Sequence, residues 1–265
     1  DNSSVLCIVD AVAAGATENT RFDQAASLRS VSKWYGYIDQ PERVPEFMRR
    51  AYTMLRTGRP GPVVLGIPNA AATYDETADP YISPKGWKSL PDPDDVAAAV
   101  AAINAAKKPL LFVGEGVLYA NATDELLAFA EKANLPVVTT LKAKGAFPEN
   151  HPLSVGVRGD HVVSYMNEAD VFFAIGASLS PGRFGHGVPG AVDKTIIQCN
   201  IDEFDINRLY PTSSAIVGDA RETLLALVAE LGETPSNRAD VSADIKAATD
   251  TALAGIREVM VSDEK

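Results

Sequence analysis

The pattern of apolar and polar positions predicts a short series of elements at the start of the chain. Residues 5–9 are a compact apolar run, which predicts a buried strand. Between Val44 and Leu55, apolar side chains recur at helical spacing and predict an amphipathic helix that is closed by Gly58. Residues 63–67 predict a second strand after a Pro-Gly-Pro turn. This first region is strand, loop, helix and strand, which is too little to close a sheet by itself.

From Asp92 onward, strand and helix signals alternate. Asp92 and Pro93 are a typical helix start, with an N-cap residue followed by proline at the first helical position. The apolar runs that follow show no in/out alternation, which is typical of parallel strands covered on both faces. Strands are predicted at residues 109–113, 136–139, 171–175, 195–201 and 215–217, and helices at 124–132, 161–167 and 220–231.

Two further stretches complete the expected organisation. Residues 69–91 are rich in Pro, Asp, Thr and Ser without any period, which is typical of a linker. Residues 236–265 are polar and Ala-rich with helical spacing. Because the chain opens on a predicted core strand without an initiating Met, we expect further sequence upstream. The expected divisions are the end of one domain at 1–75, a linker at 76–91, a complete domain at 92–232 and a helical connector at 233–265.

The composition narrows the range of partners. The 265 residues carry a formal net charge of −11, which would repel the phosphates of nucleic acids and anionic membranes. No apolar run reaches the roughly 18–20 residues that a membrane span needs. The N-terminus has no signal-peptide pattern. We therefore expect a cytoplasmic protein with no nucleic-acid and no membrane partner.

The cysteines and histidines point away from disulfide and metal chemistry. Cys7 and Cys199 both lie in apolar, β-branched runs, which predicts that both are reduced core residues. The three histidines have no Cys or His partner at ligand spacing, so no metal site is expected.

Candidate chemistry lies where the predicted strands end, because ligands of an open parallel sheet bind beyond the carboxyl ends of its strands. Gly114 and Gly116 follow one strand, and two glycines let a backbone approach a phosphate closely and expose N–H groups. The full dinucleotide fingerprint would need a third glycine where Tyr119 stands, so this signal alone is weak. Other predicted strand ends are followed by Thr140 and Leu141, by Gly176, Ala177 and Ser178, and by Asp202.

Polar residues outside the glycine turns have competing interpretations. Asp219 is better explained as the cap of the following helix than as a ligand contact. His161 is equally compatible with a satisfied helix-entry residue and with a ligand contact. Arg29, between Leu28 and Val31, is either a phosphate partner or a solvated surface cation.

No self-sufficient active site is evident in the sequence. It contains no nucleophile elbow, Walker loop, Cys/His pair at family spacing or recognisable carboxylate pair. From the residues alone, the prediction is a nucleotide-binding type of domain plus a fragment of another.

Several motifs, in order along the chain, resemble the thiamine-diphosphate-dependent enzymes. Ser32-Lys33-Trp34 and residues 57–68 (TGRPGPVVLGIP) resemble the end of their pyrimidine-binding domain. The resemblance to their central domain lies in residues 108–116, 135–140, 144–148, 151–153 and 170–176, with Ile201-Asp202 and Gly218-Asp219. It runs from Val5 to Leu231 and is strongest toward the acetolactate synthase and oxalyl-CoA decarboxylase group. It implies an α/β fold, with a parallel Rossmann-like (DHS-like) central domain and a partial α/β domain N-terminal to it.

The resemblance also implies an activity and its cofactors. The family activates the thiamine ring with a glutamate that would lie upstream of Asp1. It binds diphosphate and magnesium through a Gly-Asp-Gly…Asn-Asn motif that would lie beyond Lys265, and Gly218-Asp219-Ala220 is not that motif. We therefore expect thiamine diphosphate and Mg²⁺ in the intact enzyme, acting on 2-oxo acids or related C–C bonds, and a chain that is catalytically silent alone. Its partners would be the remaining segments of the same enzyme, in a homodimer or homotetramer.

A nucleotide in the central domain is implied as well, since acetolactate synthases hold FAD there and oxalyl-CoA decarboxylases hold ADP. Two departures weaken this expectation: Ser178 replaces an arginine near the phosphates, and Asn200 replaces an acidic residue facing the ribose or adenine. Arg158 or Arg183 are candidates to supply the missing charge. The residues that match the nucleotide sites of these relatives are Arg29, Gly114, Gly116, Thr140, Leu141, His161, Gly176, Ala177, Asn200, Ile201 and Asp219.

Two alternatives to the enzyme fragment stay open. One is a stand-alone FAD- or ADP-binding module that reuses the central-domain fold. The other is a structural domain that contributes oligomer surface and binds no nucleotide.

Overall fold

The computed structural model describes residues 2–12, 23–78, 80–180, 187–232 and 239–262. Contacts within the chain divide it into two compact units, Asp1–Lys88 and Ser89–Lys265. Among the described residues, no helix is long and apolar enough to cross a membrane.

The first unit is built on a three-stranded parallel sheet in the order β1-β3-β2. Its core lies between this sheet and helix α2, where Ile38, Ala51, Val63 and Leu65 are fully buried. The helix and the two strands predicted here are confirmed, whereas α1 and β2 were not predicted because each is short. The elements are β1 (Leu6–Asp10), α1 (Gln24–Arg29), β2 (Trp34–Tyr37), α2 (Val44–Arg56) and β3 (Val63–Ile67).

A lysine from the loop before β2 closes the carboxyl end of α2. Lys33 Nζ donates to the carbonyl oxygens of Met54, Thr57 and Arg59 at 2.5, 2.6 and 2.8 Å. Met54 lies in the last turn of the helix, whose carbonyls have no intrahelical donor, whereas Thr57 and Arg59 lie in the segment that follows. Gly58 follows the helix in the left-handed region at φ +61°, as expected for a residue that ends a helix.

β1 corrects one sequence expectation. It was predicted to be buried, yet Ile8 is 59% exposed and Cys7 is exposed as well. The physical reason is its place in the sheet: β1 is an edge strand, and among the described residues it pairs with β3 alone. The prediction that Cys7 is a core residue is therefore wrong, while Cys199 is buried as expected.

The second unit holds a six-stranded sheet, parallel throughout, in the order β6-β5-β4-β7-β8-β9. Numbered within the unit, this is the order 3-2-1-4-5-6 of doubly wound dinucleotide-binding folds. The Rossmann-like α/β prediction is confirmed. The strands are β4 (Pro109–Val113), β5 (Val137–Thr139), β6 (Ser154–Gly156), β7 (Val171–Ile175), β8 (Thr195–Asn200) and β9 (Ser214–Val217), and the helices are α3 (Pro93–Ala105), α4 (Gly116–Tyr119), α5 (Thr123–Ala133), α6 (Asp160–Glu168), α7 (Ala220–Glu230) and α8 (Ser242–Ser262).

Helices cover both faces of this sheet, so its central strands are buried on both sides. On β7, Phe173 packs edge-on against Phe129 of α5, at 6.0 Å between ring centroids. Its neighbour Phe172 belongs to the core on the opposite face and lies 5.1 Å from Phe112. Every residue of β4 and β7 is buried, which confirms the interpretation of unalternating apolar runs.

Residues 74–92 form no helix or strand where they are described. In the first unit, the Arg56 guanidinium donates to Ser83 Oγ at 2.9 Å and to the Pro84 carbonyl at 2.5 Å. In the second unit, the Ser89 carbonyl accepts a hydrogen bond from the Asp219 N–H at 2.9 Å. The stretch predicted to be a linker is therefore bonded to secondary structure at two separate points.

Candidate functional site

The carboxyl edge of the six-stranded sheet carries the candidate site. The strand order reverses between β4 and β7, and crevices at such a switch point are where doubly wound sheets bind ligands. The turn from β4 into α4 contains Gly114 and Gly116, and the loop after β7 contains Gly176 and Ala177. Parallel pairing of the two strands brings these predicted residues together.

The three glycines are required by the approach of one loop to the other. A Cβ atom on Gly114 would lie 2.2 Å from the Gly176 carbonyl oxygen, and one on Gly116 would lie 2.7 Å from the Gly176 Cα. Gly176 itself has φ +62°, in the region that favours glycine. Backbone occupies the space that a side chain would need at any of these positions.

The amide groups of the same glycines are bonded inside the protein. Gly116 N–H donates to the Gly176 carbonyl at 3.0 Å, and Gly114 N–H donates to the Ile175 carbonyl at 2.9 Å. Gly176 N–H donates to the Cys199 carbonyl at 2.9 Å. The expectation that the glycine turn exposes its N–H groups to a phosphate is therefore wrong.

Two carboxamides on β8 hold the loop after β7. Gln198 Nε2 donates to the Ala177 carbonyl at 3.2 Å and to the Asp205 carbonyl at 3.1 Å. Asn200 Nδ2 lies 3.5 Å from the same Ala177 carbonyl, and Asn200 Oδ1 accepts from Asp202 N–H at 3.1 Å. Asn200 thus contacts the loop after β7 and the loop that follows its own strand. Gln198 was not predicted, although a glutamine inside an apolar strand was a usable signal.

Of the two arginines expected to supply the missing charge, Arg158 is the one that lies within the described residues. Ser178 Oγ accepts a 3.4 Å hydrogen bond from Ser180 N–H, so this side chain serves its own loop. Arg158 is exposed on the loop before α6. Arg183 and His186 lie outside the described residues.

The loop after β5 contributes Thr140 and Leu141. Thr140 N–H donates to the Val113 carbonyl at 2.8 Å, and its carbonyl accepts from Ala143 N–H at 2.9 Å. The Leu141 side chain is 50% exposed. A 3.5 Å ion pair between Lys142 Nζ and Glu115 Oε2 joins this loop to the glycine turn.

His161 stands in the first turn of α6 with one ring nitrogen bonded. Nε2 lies 3.1 Å from the Val155 carbonyl, which can accept but not donate, so Nε2 carries the hydrogen. Nδ1 is buried without a hydrogen-bond partner among the described residues. Gly159, at φ +124°, leaves room for the ring: a Cβ there would lie 2.8 Å from Nδ1. The interpretation of His161 as a helix-entry residue with satisfied hydrogen bonds therefore holds for Nε2 but not for Nδ1.

The remaining predicted residues are spread more widely. Asp219 caps α7, accepting from Arg221 N–H at 3.0 Å and Glu222 N–H at 3.3 Å, which confirms the capping interpretation. Ile201 is partly buried just after β8. Arg29 belongs to the first unit, where it is exposed and its guanidinium carbon lies 5.7 Å from the centre of the Tyr35 ring.

The described part of the chain offers this edge neither a metal site nor a reactive cysteine. The described residues contain no group of three or more His, Cys, Asp or Glu side chains that could hold a metal ion. Burial raises the pKa of the Cys199 thiol to about 12, so this cysteine is not a nucleophile near neutral pH.

Comparison with known proteins places this geometry in a family. Residues 96–227 match the family model for the central domain of thiamine pyrophosphate enzymes. The acetolactate synthase large subunit of Corynebacterium glutamicum is 35% identical over 254 residues, covering 91% of this chain and 40% of that protein. A Methanocaldococcus jannaschii protein assigned as an acetolactate synthase large subunit is 33% identical over 245 residues, covering 87% and 42%. A Mycobacterium smegmatis structure assigned to the thiamin diphosphate-dependent enzymes superposes with a TM-score of 0.71 at 27% identity, covering 90% of this chain and 47% of that one.

The chain belongs to the thiamine pyrophosphate enzyme family, and its second unit carries the match to the central domain. The resemblance drawn from its motifs is confirmed. The chain spans about two fifths of the length of the curated relatives that it matches.

The adenine nucleotide implied for the central domain fits this crevice poorly. The strand order is suitable, and the unpartnered Nδ1 of His161 is buried next to β6. A diphosphate, however, needs donors, and the amides of Gly114, Gly116 and Gly176 are bonded to carbonyl oxygens. These three amides therefore offer no free donor to the diphosphate of FAD or ADP.

Proposed function

We propose that this protein works as part of a thiamine-diphosphate-dependent enzyme of the acetolactate synthase type, acting on 2-oxo acids. The observation that carries the proposal is the 35% identity to the Corynebacterium glutamicum large subunit over 91% of this chain. The parallel sheet order of the second unit supports it. Large enzyme subunits among the relatives favour this function over a stand-alone nucleotide-binding module.

Thiamine diphosphate would supply the electron sink for the carbanion formed in such a reaction, with Mg²⁺ holding its diphosphate. The described residues offer no cluster of metal ligands, and the Asp219 carboxylate is committed to capping α7. We therefore place the cofactor on other segments of the same enzyme, since the relatives are more than twice as long. The chain alone would be catalytically silent.

The domain assignment follows from the same proposal. Residues 1–75 would be the C-terminal part of a pyrimidine-binding domain, 76–91 a linker, 92–232 the central domain and 233–265 a helical connector.

In this arrangement the chain's own residues fix loops and strands rather than move protons. Asp170 is an example, because its carboxylate accepts from the N–H groups of Lys107, Lys108 and Val171 at 2.7–2.9 Å and so joins the amino ends of β4 and β7. We place the assembled enzyme in the cytoplasm as a homodimer or homotetramer.

The experiment compares the chain alone with the same chain joined to flanking segments from its own coding sequence. Both are assayed with pyruvate, thiamine diphosphate and Mg²⁺, and acetolactate and carbon dioxide are measured. We expect turnover from the longer protein and none from the chain alone. Turnover by the chain alone would overturn the division of labour proposed here.

The products distinguish the two reaction types within the family. A synthase releases carbon dioxide and acetolactate in equal amounts, whereas a simple decarboxylase releases carbon dioxide and acetaldehyde. We expect acetolactate, because the curated relatives described above are acetolactate synthase large subunits. Acetaldehyde without acetolactate would move the protein to the decarboxylases.

A further inference from the structure

The loops at the switch point of the six-stranded sheet bind each other where a nucleotide's diphosphate would be expected. We infer that the described residues of this crevice do not bind the diphosphate of an adenine nucleotide, and that its glycines pack the turn after β4 against the loop after β7. The inference concerns the chain's own residues and stands whether or not the proposed reaction is correct.

The first support is steric. Gly114 and Gly116 lack a positive φ, so nothing in their own backbone conformation requires glycine. What requires glycine is the neighbouring loop: a Cβ on Gly114 would lie 2.2 Å from the Gly176 carbonyl oxygen and 2.6 Å from the Ala177 Cα. The space next to Gly114 is therefore filled by the backbone of Gly176 and Ala177.

The second support is the use of hydrogen-bond donors. A phosphate at a glycine turn is held by N–H groups that point outward and have no other partner. Here the N–H groups of Gly114, Gly116 and Gly176 each donate to a carbonyl at 2.9–3.0 Å. Binding a phosphate through them would require breaking bonds that join these loops to each other and to β8.

The third support comes from the far side of the same loop. Gln198 is 2% exposed, and its amide donates to the Ala177 carbonyl, with Asn200 Nδ2 at 3.5 Å from that oxygen. Buried carboxamides with satisfied partners resist rearrangement, because moving the loop would leave polar groups unpaired. The loop after β7 is therefore held from both sides, and opening it for a ligand would be costly.

Calorimetric titration of the purified protein tests the inference directly. The probes are FAD, ADP, adenosine and inorganic pyrophosphate, each raised to about 1 mM, a range that detects even millimolar dissociation constants. We expect either no saturable binding, or binding in which ADP is no tighter than adenosine. ADP binding tenfold or more tighter than adenosine, or saturable binding of pyrophosphate, would overturn the inference.

Alanine substitutions test the packing role without any ligand. In G114A and G116A, we expect the melting temperature to fall by about 4–8 °C, as for an overpacked core position in a domain of this size. The matched control is G232A, because a Cβ on Gly232 meets nothing within 4 Å and its φ is not positive. Unchanged melting of G114A and G116A in nucleotide-free protein would contradict the packing role. These readouts do not use catalysis, so failure of the pyruvate assay leaves them interpretable.

Discussion

β1 in the first unit and β7 in the second are both five-residue strands of mainly apolar residues, yet their environments are opposite. Every residue of β7 is buried, whereas no residue of β1 is. β7 has strands on both sides and helices on both faces, while β1 is the edge of a three-stranded sheet. An apolar run therefore predicts that a strand can be buried, and the neighbours decide whether it is.

The two cysteines give the largest expected difference between the units. At pH 8, a thiol with a pKa of about 12 is ionised in roughly one molecule in ten thousand, so Cys199 should react very slowly. Cys7 is exposed on β1. We expect a disulfide reagent such as DTNB to titrate one thiol per chain rapidly, and the second only in denaturant. C7S should remove the rapid phase. Two rapidly reacting thiols in the native protein would show that Cys199 is as accessible to the reagent as Cys7.

Truncating an apolar side chain should cost much more stability in β7 than in β1. Phe173 of β7 is 1% exposed and packs on Phe129, so F173A should lower the free energy of unfolding by about 3–5 kcal/mol. I8A, on exposed β1, should change it by less than about 0.5 kcal/mol. Urea denaturation of both variants provides the measurement. A cost for I8A that approaches that of F173A would mean that β1 is covered in solution.

Asp170 tests how firmly the second unit joins its central strands. D170A removes the acceptor of three N–H groups and should cost about 2 kcal/mol, because hydrogen bonds to charged groups are stronger than neutral ones. D170N retains one acceptor oxygen, so its free energy of unfolding should lie between those of D170A and the wild type. The same denaturation experiment measures both. Equal stability of D170A and the wild type would show that this carboxylate does not stabilise the junction of β4 and β7.

Lys33 provides the corresponding test in the first unit, with a smaller effect. K33A leaves the Met54 carbonyl of α2, and those of Thr57 and Arg59 just beyond the helix, without their side-chain donor. It should cost about 1 kcal/mol, because water replaces the donor at an exposed position. The control is K246A, which removes an exposed helical ion pair with Asp250 and should cost a few tenths of a kcal/mol. If K33A and K246A lower the free energy of unfolding equally, the contacts of Lys33 do not stabilise the end of α2.

Much of the second unit could be predicted because its signals are repeated and mutually consistent. The strands at 109–113 and 171–175 have the predicted limits, and Asp92 caps α3 as its sequence context indicated. β6 was missed because Ser154–Gly156 is three residues long and contains glycine, so it carries no period. The sequence signal for a strand depends on length, and edge strands are often too short to provide it.

The candidate site was harder to predict than the fold. The sequence indicated which residues would gather at the carboxyl edge, and Gly114, Gly116, Gly176 and Ala177 do meet there. It could not indicate what the glycines approach, because a glycine allows close contact with a phosphate and with a neighbouring backbone equally well. That distinction depends on a loop about 60 positions further along the chain, and only the assembled sheet reveals it.

β4 and β7 are joined at both ends, by Asp170 at their amino ends and by the glycine loops at their carboxyl ends. In hydrogen exchange, an amide in such a strand pair can contact solvent only when both junctions open together. Its protection then reports the global free energy of unfolding rather than a local fluctuation. The amides of β4 and β7 should therefore be the last in the chain to exchange.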